Sequence, residues 1–261
     1  MIANAEVQHA RHWIARWDVQ QERYIERREE RFEAIGDVLA QTLGEEGTIL
    51  DLACGPGCLG TRLSQRFPRA RVIGLDFDPV LLALARAANA GDARRSWIET
   101  DLRAPKWLAP WTVELSGVDA VVSTTALHWL GSDELMRVYR DLAACIRPGG
   151  VFVNGDHVAP ERGTELLANF ASVHKQRAER LADAQGVPDW RRWWEEIAAD
   201  PAYADLHRER ARRFGERHGE EPLTLSFHLA ALRQAGFAEA GVVWQRWDDV
   251  VMTGVKADTC S

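Results

Sequence analysis

The sequence predicts an α/β fold, a largely parallel sheet covered by helices on both faces. Three observations carry that expectation. Between residues 48 and 154 short apolar runs alternate with helical repeats of apolar positions. Glycine turns or an Asp-Pro pair stand at several of the joins. A long, charged, tryptophan-rich stretch then interrupts the alternation before a final helix and two apolar runs.

Each element follows from its local pattern. Residues 6–43 read as one helix, because Trp13, Trp17, Tyr24, Phe32, Ile35 and Leu39 recur near multiples of three or four. The mixed charges of residues 23–31 read mostly as a solvated face. Gly44 and Gly47 end that pattern. Residues 48–52 form a short strand entering a glycine turn, and 59–67 are helical. A second strand covers 71–77. Asp78 then caps a helix over 80–89, with Pro79 at its first position. Strands follow at 96–100 and 118–123, a helix at 133–145, a turn at Pro148-Gly149-Gly150 and a fifth strand at 151–154. Residues 160–220 are helical, with Pro188 and Pro201 as breaks and Trp190, Trp193 and Trp194 close together. Such a stretch is too long for a connection and reads as a lid or an oligomer contact. A helix over 226–235 stops at Gly236. The runs 241–247 and 250–255, joined at Asp248-Asp249, read as a β-hairpin.

Composition excludes several classes. A chain of 261 residues with 46% hydrophobic and 27% charged residues is an ordinary globular protein that folds without disulfides or metal. Its formal net charge of −7 argues against nucleic acid as a partner. No apolar run is long enough to span a membrane, and the start carries Asn4, Glu6 and Gln8 rather than a leader pattern. With four cysteines, that implies a cytoplasmic protein. Cys54 and Cys58 resemble half a metal clip whose other half is missing. No two histidines stand at a ligand spacing with a carboxylate, so no metal is expected. The 11 tryptophans suit either a large core or an aromatic ligand pocket.

The chemistry-bearing run is Leu50-Asp51-Leu52-Ala53-Cys54-Gly55-Pro56-Gly57, a strand entering a glycine turn that opens a helix. Such glycines let backbone approach a ligand closely, and the helix start favours a negative group. Asp76 ends the next strand, where a carboxylate accepts both hydroxyls of a ribose. Asp101-Leu102 ends the third, where a carboxylate receives an adenine amino group and leucine covers the ring. Three features in order at successive strand ends mark a nucleotide site, since ligands of open α/β sheets bind there.

These residues, with Gly74-Leu75-Asp76 and Arg147-Pro148-Gly149-Gly150, resemble the class I S-adenosylmethionine-dependent methyltransferases, of the small-molecule type. The resemblance covers about residues 45–156, and 226–256 fits the family's reversed last strand. It implies a Rossmann-like seven-stranded sheet with an antiparallel last strand. A helical cap over 1–43 would precede a cofactor-binding core over 44–158. A helical lid over 159–222 and a closing helix and hairpin over 223–261 would follow. It also implies S-adenosyl-L-methionine as cofactor. Gly55 and Gly57 would border its methionine part, Asp76 would hold the ribose, and Asp101 and Leu102, with Phe77 beside them, would hold the adenine. Asp51, Ala53 and Ser123 complete the implied cofactor set. A dinucleotide dehydrogenase is the competing fold, and the missing Gly-x-x-Gly after Gly57 counts against it.

A methyltransferase mainly aligns a nucleophile with an activated methyl group. The fourth strand ends in Ser123-Thr124-Thr125-Ala126-Leu127-His128-Trp129-Leu130, without the Asn/Asp-Pro-Pro-aromatic or Pro-Cys patterns of base-modifying relatives. Leu-His-Trp is instead similar to small-molecule methyltransferases, some of which esterify carboxylates such as trans-aconitate. His128 and His157 are the candidate catalytic residues, the alternative for each being a histidine that only orients its loop. Trp17, Trp129, Trp190, Trp194 and His228 are the candidate substrate contacts, with lid packing as the alternative for the indoles. Arg16, Arg27 and Arg31 read as surface ion pairs or contacts to an acidic group. His9, His12, His207 and His218 read as surface residues. The expected protein is a monomer or homodimer acting on a small, partly apolar molecule. Two rivals keep every motif: an enzyme that cyclises or cleaves the cofactor and releases methylthioadenosine, and a non-catalytic cofactor-binding subunit.

Overall fold

In the computed structural model, residues 4–111, 115–215 and 223–258 are described. Seven strands form one sheet: β1 (Thr48–Leu52), β2 (Arg71–Asp76), β3 (Arg95–Glu99), β4 (Val118–Thr124), β5 (Ile146–His157), β6 (Glu239–Arg246) and β7 (Asp249–Val255). Their order is β3-β2-β1-β4-β5-β7-β6. The first five run parallel, and β7 runs against both its neighbours. This is the Rossmann-like arrangement with one reversed strand that the sequence implies.

Alternate residues of the central strands feed two cores, as the strand period of two requires. On one face Ile49, Val72, Ala120, Val122 and Val153 meet Phe32, Ile35 and Leu39 of α2 (Arg28–Thr42) and Leu59 and Leu63 of α3 (Cys58–Arg66). On the other face Leu50, Leu52, Val121 and Phe152 meet α5 (Ser132–Cys145) and α9 (Leu225–Ala235). Between α3 and α5 comes α4 (Pro79–Ala88), the bridge to the remaining helices. Its Val80, Leu81 and Leu84 bury against Trp13 of α1 (Asn4–Glu22) and Trp193, Trp194 and Ile197 of α7 (Trp190–Ala198). The insertion also contains α6 (Glu165–Ala184) and α8 (Ala204–Phe214), with breaks at the regions of Pro188 and Pro201.

Asp78 caps α4 as expected, its Oδ1 accepting from Val80 N at 2.9 Å and Leu81 N at 3.2 Å. Four expectations need correction. Residues 6–43 are two helices, broken where Arg27 adopts φ 58°. Arg23 turns to Asp183 at 2.5 Å and Arg28 to Asp18 at 2.5 Å, which fix the break without glycine or proline. The 23–31 stretch is not all solvated, because Arg28 and Arg31 are buried. Pro148-Gly149-Gly150 lies inside β5, as a bulge where pairing passes from Val118↔Ile146 to Ala120↔Val151. The hairpin turns at Trp247-Asp248, one residue early, with Trp247 at φ 54°. Residues 216–220, His218 and Cys260 lie outside the described residues.

Candidate functional site

The carboxyl ends of β1 to β5 share one edge, and non-glycine residues with positive φ gather there. Ala53 follows β1 at φ 49° and Thr125 follows β4 at φ 55°. A left-handed non-glycine residue costs about 1–2 kcal/mol, and such residues concentrate at functional sites. Gly57, at φ 81°, has a second reason to be glycine: a Cβ there would lie 2.4 Å from the Trp97 ring. The same indole excludes a Cβ at Gly74, also at 2.4 Å. Gly55, at φ 56°, has open space beside it, its nearest neighbour being Leu81 at 3.8 Å.

Two carboxylates, Asp51 buried and Asp76 half-buried, organise this turn. Asp51 Oδ2 accepts from Gly60 N at 3.1 Å, while Oδ1 has no partner among the described residues. Burial pushes its pKa up to about 7, with the Asp76 charge adding to the effect and the Gly60 amide opposing it. Asp76 accepts from Gly55 N and from Asp78 N, both at 2.7 Å. It thereby ties the β1 turn to the β2 turn, and each oxygen keeps a further lone pair for a ligand. Burial and then the neighbouring Asp78 charge raise it to about 6. Asp101 Oδ1 accepts from Arg103 N at 3.0 Å, and Leu102 is buried in the core beside it.

The insertion reaches this same end. Arg210 donates to Asp78 Oδ2 at 2.5 Å and lies 3.7 Å over the Trp194 ring. Arg213 donates to Glu99 at 2.7 Å and to the Phe77 carbonyl at 3.1 Å. Phe214 sits 5.6 Å from Phe77, ring centre to ring centre. Thus α8 is clamped across the ends of β2 and β3.

At the β4 and β5 ends, His128 Nδ1 meets Asp156 Oδ1 at 2.6 Å. The other carboxylate oxygen accepts from His128 N at 3.2 Å. Burial pushes Asp156 up, but His128, then Arg31 and His157, outweigh it and hold the carboxyl down at about 2. An ionised carboxylate only accepts, so Nδ1 carries the proton and a neutral ring keeps its Nε2 lone pair. The backbone N of His157, the next residue, also donates to Asp156 Oδ1 at 2.9 Å, while its ring turns elsewhere. The His157 ring faces Asp248 Oδ2 at 3.3 Å and lines a cavity of about 340 Å³.

Other candidates move elsewhere. Ser123 is fully buried, its hydroxyl donating to Leu52 O at 3.0 Å, so it ties β4 to β1 instead of facing a ligand. His228 is a core residue, its Nδ1 paired with the Tyr139 hydroxyl at 2.8 Å, and burial lowers its pKa. It is no rim contact. Trp194 is buried among Trp17, Trp190 and Trp193 in edge contacts, because these indoles cover α4. Trp190 and Trp129 remain exposed, the latter 5.3 Å from the His128 ring. Arg16 pairs with Glu196 and Arg27 with Glu30, both surface pairs. Arg31 is fully buried, paired through two nitrogens with Asp249 and bonded to Thr124, Thr125 and Gly155 O. Among the described residues no group of three His, Cys, Asp or Glu is arranged for a metal. Burial pushes the Cys58 thiol up to about 12, so it stays protonated.

Asp156 and the Arg31–Asp249 pair were not singled out by sequence reasoning. The signal for Asp156 is an acid closing an otherwise apolar strand, three residues past Val153. No local pattern marks Arg31, whose partner is distant in the chain.

Comparisons with known proteins agree with this geometry. A family model described as a methyltransferase domain matches residues 49–150. A trans-aconitate 2-methyltransferase of Azoarcus sp. is 35% identical over 136 residues, 52% of this chain and 48% of that one. Another, from Streptomyces avermitilis, is 31% identical over 180 residues, 65% of this chain and 61% of its own length. The chain thus spans about half to three fifths of these two curated relatives. An O-methyltransferase family protein from Burkholderia thailandensis shares the fold with a TM-score of 0.55 at 17% identity, over 97% of this chain and 72% of its own.

Proposed function

We propose that this chain, which carries a class I S-adenosylmethionine-dependent methyltransferase domain over residues 49–150, methylates a small, partly apolar molecule and releases S-adenosylhomocysteine. The observation that carries the reading is the donor set at the β1 and β2 ends. Asp51 is buried and Asp76 half-buried, both carboxyls are pushed up, to about 7 and about 6, and Asp51 Oδ1 lacks a partner among the described residues. A cationic ligand relieves that arrangement, whereas a dinucleotide brings two phosphate charges against Asp51, Asp76 and Asp78. The residues therefore fit S-adenosylmethionine and disfavour NAD. When bound, its sulfonium supplies an activated methyl group.

The chain's own residues bind and orient. Asp76 holds the ribose hydroxyls, Asp101 and Leu102 the adenine, and the turn from Ala53 to Gly57 the methionine part, with Asp51 beneath it. His128, its tautomer set by Asp156, takes the proton from an acceptor hydroxyl or ammonium at Nε2. With an acceptor already ionised, the pair only orients it.

Calorimetric titration with S-adenosylhomocysteine, using NAD as control, tests the cofactor reading. Micromolar binding of the former alone supports it, and no binding by folded protein overturns it. Turnover is then read by mass over a panel of small, partly apolar hydroxyl, amine and monocarboxylate acceptors, with trans-aconitate, for which the relatives are named, as the comparison. An acceptor heavier by one methylene, together with S-adenosylhomocysteine, supports transfer; methylthioadenosine overturns it.

A further inference from the structure

The cavity of about 340 Å³ beside His157 lies between the end of α1, one face of α6 and the β6–β7 turn. Its size is at the low end for small-molecule sites. The space exists because α6 presents Ala171, Ala178 and Ala182 toward it, at helical spacing. Opposite stands Trp247, held at φ 54° with its ring 5.5 Å from His174. Val19 and Leu181 stand at the opening, about half exposed at 46% and 54%. The inner wall is His157 and Asp249, next in sequence or contact to the Asp156–His128 pair and to Arg31.

Charge in this cavity is internally matched. Arg246 pairs with Glu26 at 2.6 Å, Arg23 with Asp183 at 2.5 Å, and Asp249 with Arg31. Lys175 lies near Asp248, which burial raises and His157 and Lys175 pull down. Glu26 also holds His174. Each of these arginines already faces a carboxylate. One donor, Arg246 Nε, is buried without a partner among the described residues.

We propose that this cavity is the acceptor pocket, taking a compact apolar molecule of one or two rings with no more than one negative charge. The apolar body lies between the α6 alanines and Trp247, and the reacting polar group lies past His157, on the side of the Asp156–His128 pair. The inference rests on the methyltransferase reading and sharpens its acceptor class. A polycarboxylate has to compete with ion pairs already made, the buried Arg31–Asp249 pair among them, so it binds more weakly than a monoanion.

The test uses the full chain saturated with S-adenosylhomocysteine, titrated with 2-naphthol, 2-naphthoate and citrate and followed by tryptophan fluorescence and calorimetry. The expected result is saturable binding of both naphthalenes and none of citrate. Ala178→Leu, which fills the cavity, then weakens both naphthalenes at least tenfold and leaves S-adenosylhomocysteine affinity within twofold. Trp247→Ala, at an exposed turn, gives the same pattern should Ala178→Leu fail to fold. Naphthalene affinity unchanged in both variants overturns the proposal, as does citrate binding as tightly as naphthoate. Loss of S-adenosylhomocysteine binding in the wild type defeats the methyltransferase reading instead, and is seen separately from the naphthalene response.

Discussion

Replacing Arg31 by methionine removes the cation of a fully buried ion pair while keeping much of its aliphatic volume. Asp249 then stays in the interior with its charge uncompensated, and Thr124, Thr125 and Gly155 O lose a donor. Breaking one side of a buried pair costs about 3–5 kcal/mol. At about 2–4 °C per kcal/mol for a chain near this size, Tm falls by about 6–20 °C. The sign of the pH effect follows from Asp249. Burial already raises its pKa against the opposing Arg31 charge, and removing Arg31 raises it further. A folded carboxyl above its unfolded value of about 3.9 binds more protons folded, so stability is lost as pH rises through the shifted value. The deficit of Arg31→Met is therefore smallest at or below about pH 3.9, the unfolded value, and grows toward neutral pH. Thermal unfolding followed by circular dichroism across that range measures it, with Arg31→Met/Asp249→Leu as the partner variant. The double variant recovers most of the loss, since a well-packed apolar pair replaces a buried ion pair at little cost. A loss below about 1 kcal/mol, or a double variant no better than the single, refutes the reasoning.

Further outcomes follow from the same geometry. Asp76→Ala weakens S-adenosylhomocysteine binding by about ten- to a hundredfold, the worth of charge-assisted hydrogen bonds, as calorimetry reads directly. Asp51 and Asp76, raised to about 7 and about 6, hold protons that the unfolded chain has lost, so the unliganded protein melts higher at pH 5.5 than at pH 8. Asp51→Asn flattens that slope, and an unchanged slope rejects the assignment. His128→Gln and Asp156→Asn keep cofactor affinity within twofold but lower turnover of a protonated acceptor by about 10²–10⁴. The Asp156→Asn profile also shifts with pH, which a purely structural role would not produce. Arg210→Gln speeds S-adenosylhomocysteine release severalfold in stopped-flow displacement, because it frees α8 from Asp78.

The proposed cofactor half of the site is legible in sequence because it is local. Asp51, Gly55, Gly57, Asp76 and Asp101 each close a strand or open a helix, and backbone geometry restricts which residues fit there. Even the Asp78-Pro79 cap reads correctly, since its partners are two and three residues on. The proposed acceptor half is legible only in part, at His128 and His157. Arg31 looks like one arginine among many on a charged helix until Asp249 is brought to it. His228 and Trp194 resemble rim residues by chemistry, yet packing against Tyr139 and α4 draws them inside. Helical periodicity ran through residues 23–27 because a turn held by Arg23 and Arg28 leaves no glycine or proline behind.

The Arg31–Asp249 pair joins positions 218 apart, and that separation sets an order of assembly. Residues 51 to 102 place the proposed cofactor residues within one stretch of nascent chain, on the parallel neighbours β1, β2 and β3. The floor beneath an acceptor waits for β7 to slide in beside β5 and present Asp249 to an arginine synthesised long before. Until then Arg31 is a charge facing an apolar sheet with no counterion. On the proposed reading, a chain arrested ahead of the hairpin holds the residues for the cofactor and lacks part of the wall for the molecule to be modified.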